Sequence, residues 1–222
     1  NKKDIYMNKI FFIADLHIGH KNILHHSKNR MKHMNIEHDF DIEKHDEYVI
    51  NMWHSMVKRG DIVYVLGDFI MKNKEESLKI LHELKKNGCK IHLIVGNHDK
   101  STQNLENMFE SIELIKTVTF KKNVYDFLDE DFQIIMCHYP MKSWFNKCRG
   151  SLMMYGHIHN NSPWCDTETD DLCLNVGFDN PICEYKLFTL EQVYEYYKNK
   201  LNGIKPNDYS DEMCKINSKY IR

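Results

Sequence analysis

No stretch of this chain approaches the ~18–20 consecutive apolar residues that a bilayer-spanning helix needs, and none reads as the apolar core of a signal peptide. A surplus of one charge is also missing. Thirty Lys and Arg stand against 32 Asp and Glu, a formal net charge of −2, so no overall basic field draws nucleic acid or an anionic membrane. A phosphate-bearing partner must therefore be held by local charge or by metal. The seven cysteines are odd in number and lack CxxC spacing, and Cys89 and Cys137 fall in strand-like runs where a small buried apolar residue serves. Neither a zinc ribbon nor a disulfide framework is indicated, and a reducing cytoplasm is the expected compartment. There is no internal repeat and no low-complexity segment. What is present is a globular composition: 222 residues, 42% hydrophobic and 28% charged, enough for one substantial core and too apolar for disorder. Met7-Asn8-Lys9 is a candidate native start. One domain is expected over 1–203, followed by a polar tail over 204–222, docked or disordered.

Nearly continuous apolar runs at 9–14, 62–67 and 91–95 predict strands covered on both faces. Between the first two, Val49, Met52, Trp53 and Met56 recur at helical spacing over 43–58. Leu78, Leu81 and Leu84 mark a second helix over 75–86, with Gly88 beyond it. Strand and helix in alternation point to βαβ units and a parallel sheet. Past Asp99 a short helix near 101–109 leads into strand-like segments at 112–120, 123–128, 132–137, 152–156 and 172–176, expected to build a second, partly antiparallel sheet. A last helix is predicted over 189–201 from Leu190, Val193, Tyr194, Tyr197 and Leu201.

Five of the apolar runs end in metal-ligating side chains. IFFIAD delivers Asp15 and then His17; DIVYVLGD delivers Gly67 and Asp68; KIHLIVGNHD delivers Asn97, His98 and Asp99. FQIIMCHYP delivers His138, and SLMMYGHIH delivers His157 and His159. Any one strand end meets a polar loop, and an Asp there is most often a cap or turn residue. Five such junctions gather at least seven potential ligands at one edge of a sheet. Alternation along an extended backbone predicts that Asp15 and His17 share a side, and likewise His157 and His159. Gly67 permits close backbone approach beside Asp68, whose carboxylate can bridge two ions. Asn97 offers a neutral oxygen, His98 points at the reacting group, and Asp99 can orient its imidazole. The Asp, His and Asn donors suit Mn, Fe or Zn more than Ca, and Mg is disfavoured. Two polar loops are expected to rim the crevice. One is 20–38, with Lys21, His25, His26, Lys28 and Arg30; the other is 140–150, with Lys142, Lys147 and Arg149 beside Trp144 and Phe145.

D-x-H, G-D, G-N-H-D, a lone His and G-H-x-H in this order, over residues 15–159, resemble the calcineurin-like metallophosphoesterase family. DLHIGHKN, CHYP, YGHIHN and LNVGFDN resemble its small bacterial and phage members. The resemblance implies a four-layer α/β/β/α sandwich with two mixed β-sheets flanked by helices. It implies two divalent ions, one on Asp15, His17, Asp68 and His159, the other on Asp68, Asn97, His138 and His157. His98 would be the general acid with Asp99 as its partner, and a metal-bridging hydroxide the nucleophile. Asn97 and His98 would contact substrate, and His20 and Asn22 lie close enough in sequence to join them; the remaining histidines are expected at the surface. The expected substrate is a small phosphoester, a phosphodiester or nucleotide derivative ahead of a monoester or phosphoprotein. Trp144 and Phe145 would either stack a base or anchor their loop. A nuclease lacks support without a basic surplus, and a non-catalytic scaffold should have lost a ligand or the GNHD histidine; this chain has lost neither.

Overall fold

The structure, a computed structural model, describes residues 8–159 and 171–203, so Met7 and the 204–222 tail lie outside the described residues. Strands β1 (Ile10–Ile13), β2 (Ile62–Val65), β3 (Lys90–Ile94) and β4 (Ser111–Glu113) run parallel in one sheet. The two-residue β9 (Phe188–Thr189) pairs antiparallel with β1, giving the order β4-β3-β2-β1-β9. The second sheet has the order β5-β6-β7-β8, from Ile115–Phe120, Phe132–Cys137, Leu152–Tyr155 and Cys173–Asn175. Its first pair is antiparallel and the other two are parallel. This is the mixed two-sheet sandwich flanked by helices that the motifs imply.

Period-two alternation explains why the strand sequences are apolar throughout. In β1, Phe12 faces inward and packs with Tyr64, Leu66 and Ile94 against Ile134, Met136, Met154 and Leu174 of the second sheet. Phe11 and Ile13 face outward, under α3 (Ile42–Met56) and α4 (Lys74–Leu84), which contribute Val49, Trp53, Leu81 and Leu84. Asn73 caps α4 by accepting the Glu76 N–H at 3.0 Å. A capping box of Thr189 and Gln192 starts α5 (Leu190–Leu201), whose Val193, Tyr194 and Tyr197 join the inter-sheet core. No helix among the described residues is long and apolar enough to cross a membrane. The five described cysteines are free thiols.

Four expected elements take another form. The helix near 101–109 is two 3-10 turns, Thr102–Asn104 and Glu106–Met108. The 112–120 segment is split at the exposed Leu114, where the chain leaves the first sheet and enters the second. Residues 123–128 form turns rather than a strand: Tyr125 N–H reaches back to Lys121 O and Leu128 N–H to Tyr125 O, while Leu128 drops into the core. The 20–38 loop contains α1 (Ile23–His26) and α2 (Lys28–Met34), and its Ile23 and Leu24 form a small core of their own with Ile36 and Ile42.

The parallel strands of both sheets point their C-terminal ends toward one edge. There the sheets are joined, because Ala14 N–H donates to Val176 O and Phe178 N–H to Ala14 O, each at 2.9 Å. The loops after β1, β2, β3, β6 and β7 therefore converge.

Candidate metal centre

Asp15, His17, Asp68, His157 and His159 all have φ between 48° and 71°, the left-handed region. Non-glycine residues held there cost about 1–3 kcal/mol each, and such strain clusters at functional sites. It also corrects the expected route to convergence. Strand β1 ends at Ile13, so Asp15 and His17 share a side through two left-handed residues and not through alternation along a strand. The same holds for His157 and His159 beyond Tyr155.

The five loops bring two groups of donors together, Asp15 with His17 and His159, and Asp68 with His138 and His157. Within each group the donor atoms lie within 4.8 Å of one another. Asp68 stands between them, its Oδ2 3.7 Å from His17 Nε2 and 3.5 Å from His138 Nε2. Asn97 Oδ1 lies 3.1 Å from His138 Nε2.

The tautomers decide whether these donors suit a cation. His138 Nδ1 sits 2.8 Å from Leu66 O, and His159 Nδ1 sits 2.6 Å from an oxygen of Asp179. A carbonyl and a carboxylate only accept, so Nδ1 carries a proton in both rings and Nε2 is the nitrogen left to face a cation. His159 Nε2 is 3.3 Å from His17 Nε2. Burial, then the Arg30 charge, holds the His17 pKa well below the usual histidine range, so its ring is neutral. Lone pairs converging from several directions beside two carboxylates, with no thiolate among them, form the donor set of a borderline divalent ion.

Burial raises the Asp15 pKa to about 6, against the lowering effect of His159 and His138. Its carboxylate accepts the His157 N–H at 2.9 and 3.1 Å. Glycine is required at the points of closest approach. A Cβ on Gly67, where φ is +89°, would enter the His138 ring, and one on Gly156 would strike Ala14 and stand 2.6 Å from Asp15 Oδ2.

Asp99 takes a different place from the one expected. Its buried carboxylate accepts N–H groups from Asp68 at 2.8 Å, Gly96 at 2.8 Å and Phe69 at 3.0 Å, so it ties together the loops after β2 and β3 instead of orienting the His98 ring. Burial raises its pKa despite those bonds. His98 is exposed, with its ring centroid 5.7 Å from His17 and 6.0 Å from His20, and its N–H donates to Asp68 Oδ1 at 2.9 Å. A cavity of about 640 Å³ opens beside these rings, lined by His17, His20, His26, Lys28, His98 and His159 among others. The first polar segment thus rims the crevice, although Asn22 is exposed at the start of α1 and does not line the cavity.

The second loop does not bring its tryptophan to the crevice. Trp144 is buried against Ile135, Met153 and Tyr155 on the outer face of the second sheet, with its indole N–H donated to Ser151 O at 3.1 Å. It anchors the loop, while Phe145 is exposed and Lys147 bridges to Asp171 at 2.8 Å. Trp144→Ala should therefore cost about 3–5 kcal/mol of stability, as truncating a buried aromatic does, while leaving kcat/KM unchanged for a small substrate. Denaturant melts and steady-state rates on the folded variant check this. The aromatic that does approach the donors is Tyr139, half-exposed, its ring 4.7 Å from His157 and 5.0 Å from His138.

Two further residues belong to the centre. Arg30 is fully buried, not a solvated loop cation, and it forks onto Asp179 at 2.8 and 2.7 Å. Burial would raise the Asp179 pKa, but Arg30 and His159 hold it well below the usual carboxylate range. His45, expected at the surface, is buried with Nε2 3.1 Å from Arg30. The available signal was Asp179 itself, inside the LNVGFDN run.

A family model described as calcineurin-like phosphoesterase matches residues 8–161. An uncharacterised protein of Methanocaldococcus jannaschii is 38% identical over 95 residues, which is 42% of this chain and 48% of that protein's length. The Gene 66 protein of Mycobacterium phage L5 is 24% identical, with 69% of this chain and 79% of the phage protein aligned. The Gene 66 protein of Mycobacterium phage D29 is 22% identical, with 89% of this chain and 100% of the phage protein aligned. A crystal structure of a protein of unknown function from Aquifex aeolicus superposes with a TM-score of 0.61 at 21% identity, covering 86% of this chain and 100% of that one, a likeness of fold.

Proposed function

This chain belongs to the calcineurin-like phosphoesterase family, and from that premise we propose that it hydrolyses a small phosphoester at a binuclear centre. The observation that carries the proposal is the pair of donor groups with Asp68 between them. One ion is assigned to Asp15, His17, Asp68 and His159, the other to Asp68, Asn97, His138 and His157. Two such ions supply Lewis acidity to the phosphoryl oxygens and activate water at neutral pH.

The chain's own residues do the rest. Asp99 fixes the loops that carry Asp68 and His98 through three backbone N–H bonds, and so acts as a positioning residue. His98, exposed at the cavity, protonates the leaving oxygen. His20 contributes a neutral hydrogen-bond donor. Burial lowers its pKa, and its Nδ1 is sealed without a partner; an unpaired lone pair costs less there than an unpaired N–H, so the proton sits on Nε2. The cavity of about 640 Å³ falls within the size of small-ligand sites, and imidazoles and other polar side chains make up nearly all of its wall, so a small polar ester is favoured over a phosphoprotein. Within that class we assign a phosphodiester or nucleotide-derived substrate, because a general acid matters most for a poor alkoxide leaving group.

Chelator treatment should abolish hydrolysis of an aryl phosphate, and Mn, Fe or Zn should restore it, with two ions per chain by metal analysis. Full activity in chelator with no bound ion would end this proposal. The diester-to-monoester ratio of kcat/KM decides the substrate class, and a ratio below one would make the enzyme a monoesterase.

A further inference from the structure

Arg30 and Asp179 donate no atom to either group of metal donors, yet they hold Asp15 by its carbonyl, Leu16 next to His17 by its carbonyl and His159 by its ring, and they bond to no member of the other group. We propose that they form a clamp that sets the tautomer of His159 and fixes the backbone of Asp15 and Leu16, the segment that presents Asp15 and His17, so that they act as positioning residues for one ion only; this rests on the binuclear assignment above.

Arg30 has five N–H groups and each meets an acceptor. Nε donates to Asp179 Oδ1 at 2.8 Å and Nη2 to Asp179 Oδ2 at 2.7 Å. Nη2 also donates to Asp15 O at 2.6 Å, and Nη1 to Leu16 O at 3.1 Å. The last N–H faces His45 Nε2 at 3.1 Å, while His45 Nδ1 lies 3.0 Å from Asp46 Oδ1. That carboxylate oxygen also accepts the Gly19 N–H at 2.9 Å, which ties down the far end of the DLHIG loop.

Asp179 is equally committed. Oδ1 takes Arg30 and the Ser27 hydroxyl, the latter at 2.7 Å, and Oδ2 takes Arg30 and His159 Nδ1. Nothing in this arrangement is left unsatisfied, which a buried ion pair requires. A carboxylate behind a ligating histidine fixes its ring and raises its basicity, and removing such a partner typically lowers metal affinity ~10–100-fold. Asp68, His138 and His157 lie outside these contacts. A purely structural ion pair would weaken the whole centre evenly; the clamp acts on one ion.

The test is Mn²⁺ titration of the chelator-stripped full chain, followed by calorimetry. Asp179→Asn should leave one ion at wild-type affinity and weaken the other ~10–100-fold, because the amide turns N–H donors toward either Arg30 or His159. Arg30→Lys, which keeps the charge but cannot fork, should displace the same ion. Trp144→Ala, destabilised on the far face of the second sheet, should leave both affinities unchanged. Two ions lost together, or neither affected, in folded Asp179→Asn or Arg30→Lys would overturn the clamp and leave the binuclear assignment standing. A wild-type chain that binds no ion would overturn that assignment instead. Should both variants fail to fold, nitrogen-15 imidazole spectra of the metal-free wild type decide. A proton on His159 Nδ1 supports the clamp, and a bare Nδ1 refutes it.

Discussion

Asp68→Ala is expected to release both ions and to lower kcat/KM by at least about 10³–10⁴-fold. The lower bound follows from the several kcal/mol that metal Lewis acidity supplies at tenfold in rate per ~1.4 kcal/mol. Among the described residues, Asp68 is the one carboxylate whose oxygen lies within 4 Å of ring nitrogens from both donor groups, at 3.7 Å from His17 and 3.5 Å from His138. Its other oxygen accepts the His98 N–H at 2.9 Å, so alanine would also free the loop that carries His98. Asp68→Asn separates the two roles. The amide oxygen can keep the loop bond, and Asn tolerates the left-handed backbone at φ 52° that Ala resists. The asparagine variant should therefore melt close to wild type and still bind fewer than two ions with an activity loss of similar order. Wild-type activity in Asp68→Asn would reduce Asp68 to a loop cap.

The strand ends and their donors were legible because the signal is local. A both-face-buried strand is an apolar run, and the residue that follows it must be polar, so Asp15, Asp68 and His138 announce themselves. The glycine at 67 was legible for the same reason, since close approach admits nothing larger, whereas the crowding of Gly156 against Ala14 and Asp15 emerges only in the fold. Less legible was the backbone itself. Asp15 and His159 meet their partners through φ values of 57° and 48°, which alternation of side chains cannot anticipate. Tertiary partners were hidden altogether. Arg30 reads as one cation among many in a polar segment, and only the fold brings Asp179, 149 positions later, to its guanidinium. Residues 123–128 misled through their aromatic alternation: Tyr125 and Phe127 pack on the core from turns, where burial needs no strand partner. Asp99 follows His98 in sequence, yet its side chain turns to three backbone donors that no spacing rule records.

His98→Ala should lower kcat by ~10²–10⁴-fold, the range lost with a general acid, while both ions remain bound. The residue follows Asn97, a proposed ligand, but its exposed ring faces the cavity with His17 and His20, and its backbone alone touches Asp68. Alanine keeps that backbone N–H, so the metal donors should be undisturbed. Metal analysis and the melting temperature of the variant check that half of the expectation. The chemistry is read from a series of esters with graded leaving groups. A departing alkoxide needs a proton and a nitrophenolate does not, so the defect should be largest for alkyl esters and shrink toward the best leaving groups. A rise in KM with kcat intact would instead mean that His98 binds substrate and transition state equally well. A loss of the same size across the whole series would remove the acid role and leave His98 a phosphate-holding imidazole, and stoichiometric loss of an ion would make it a ligand.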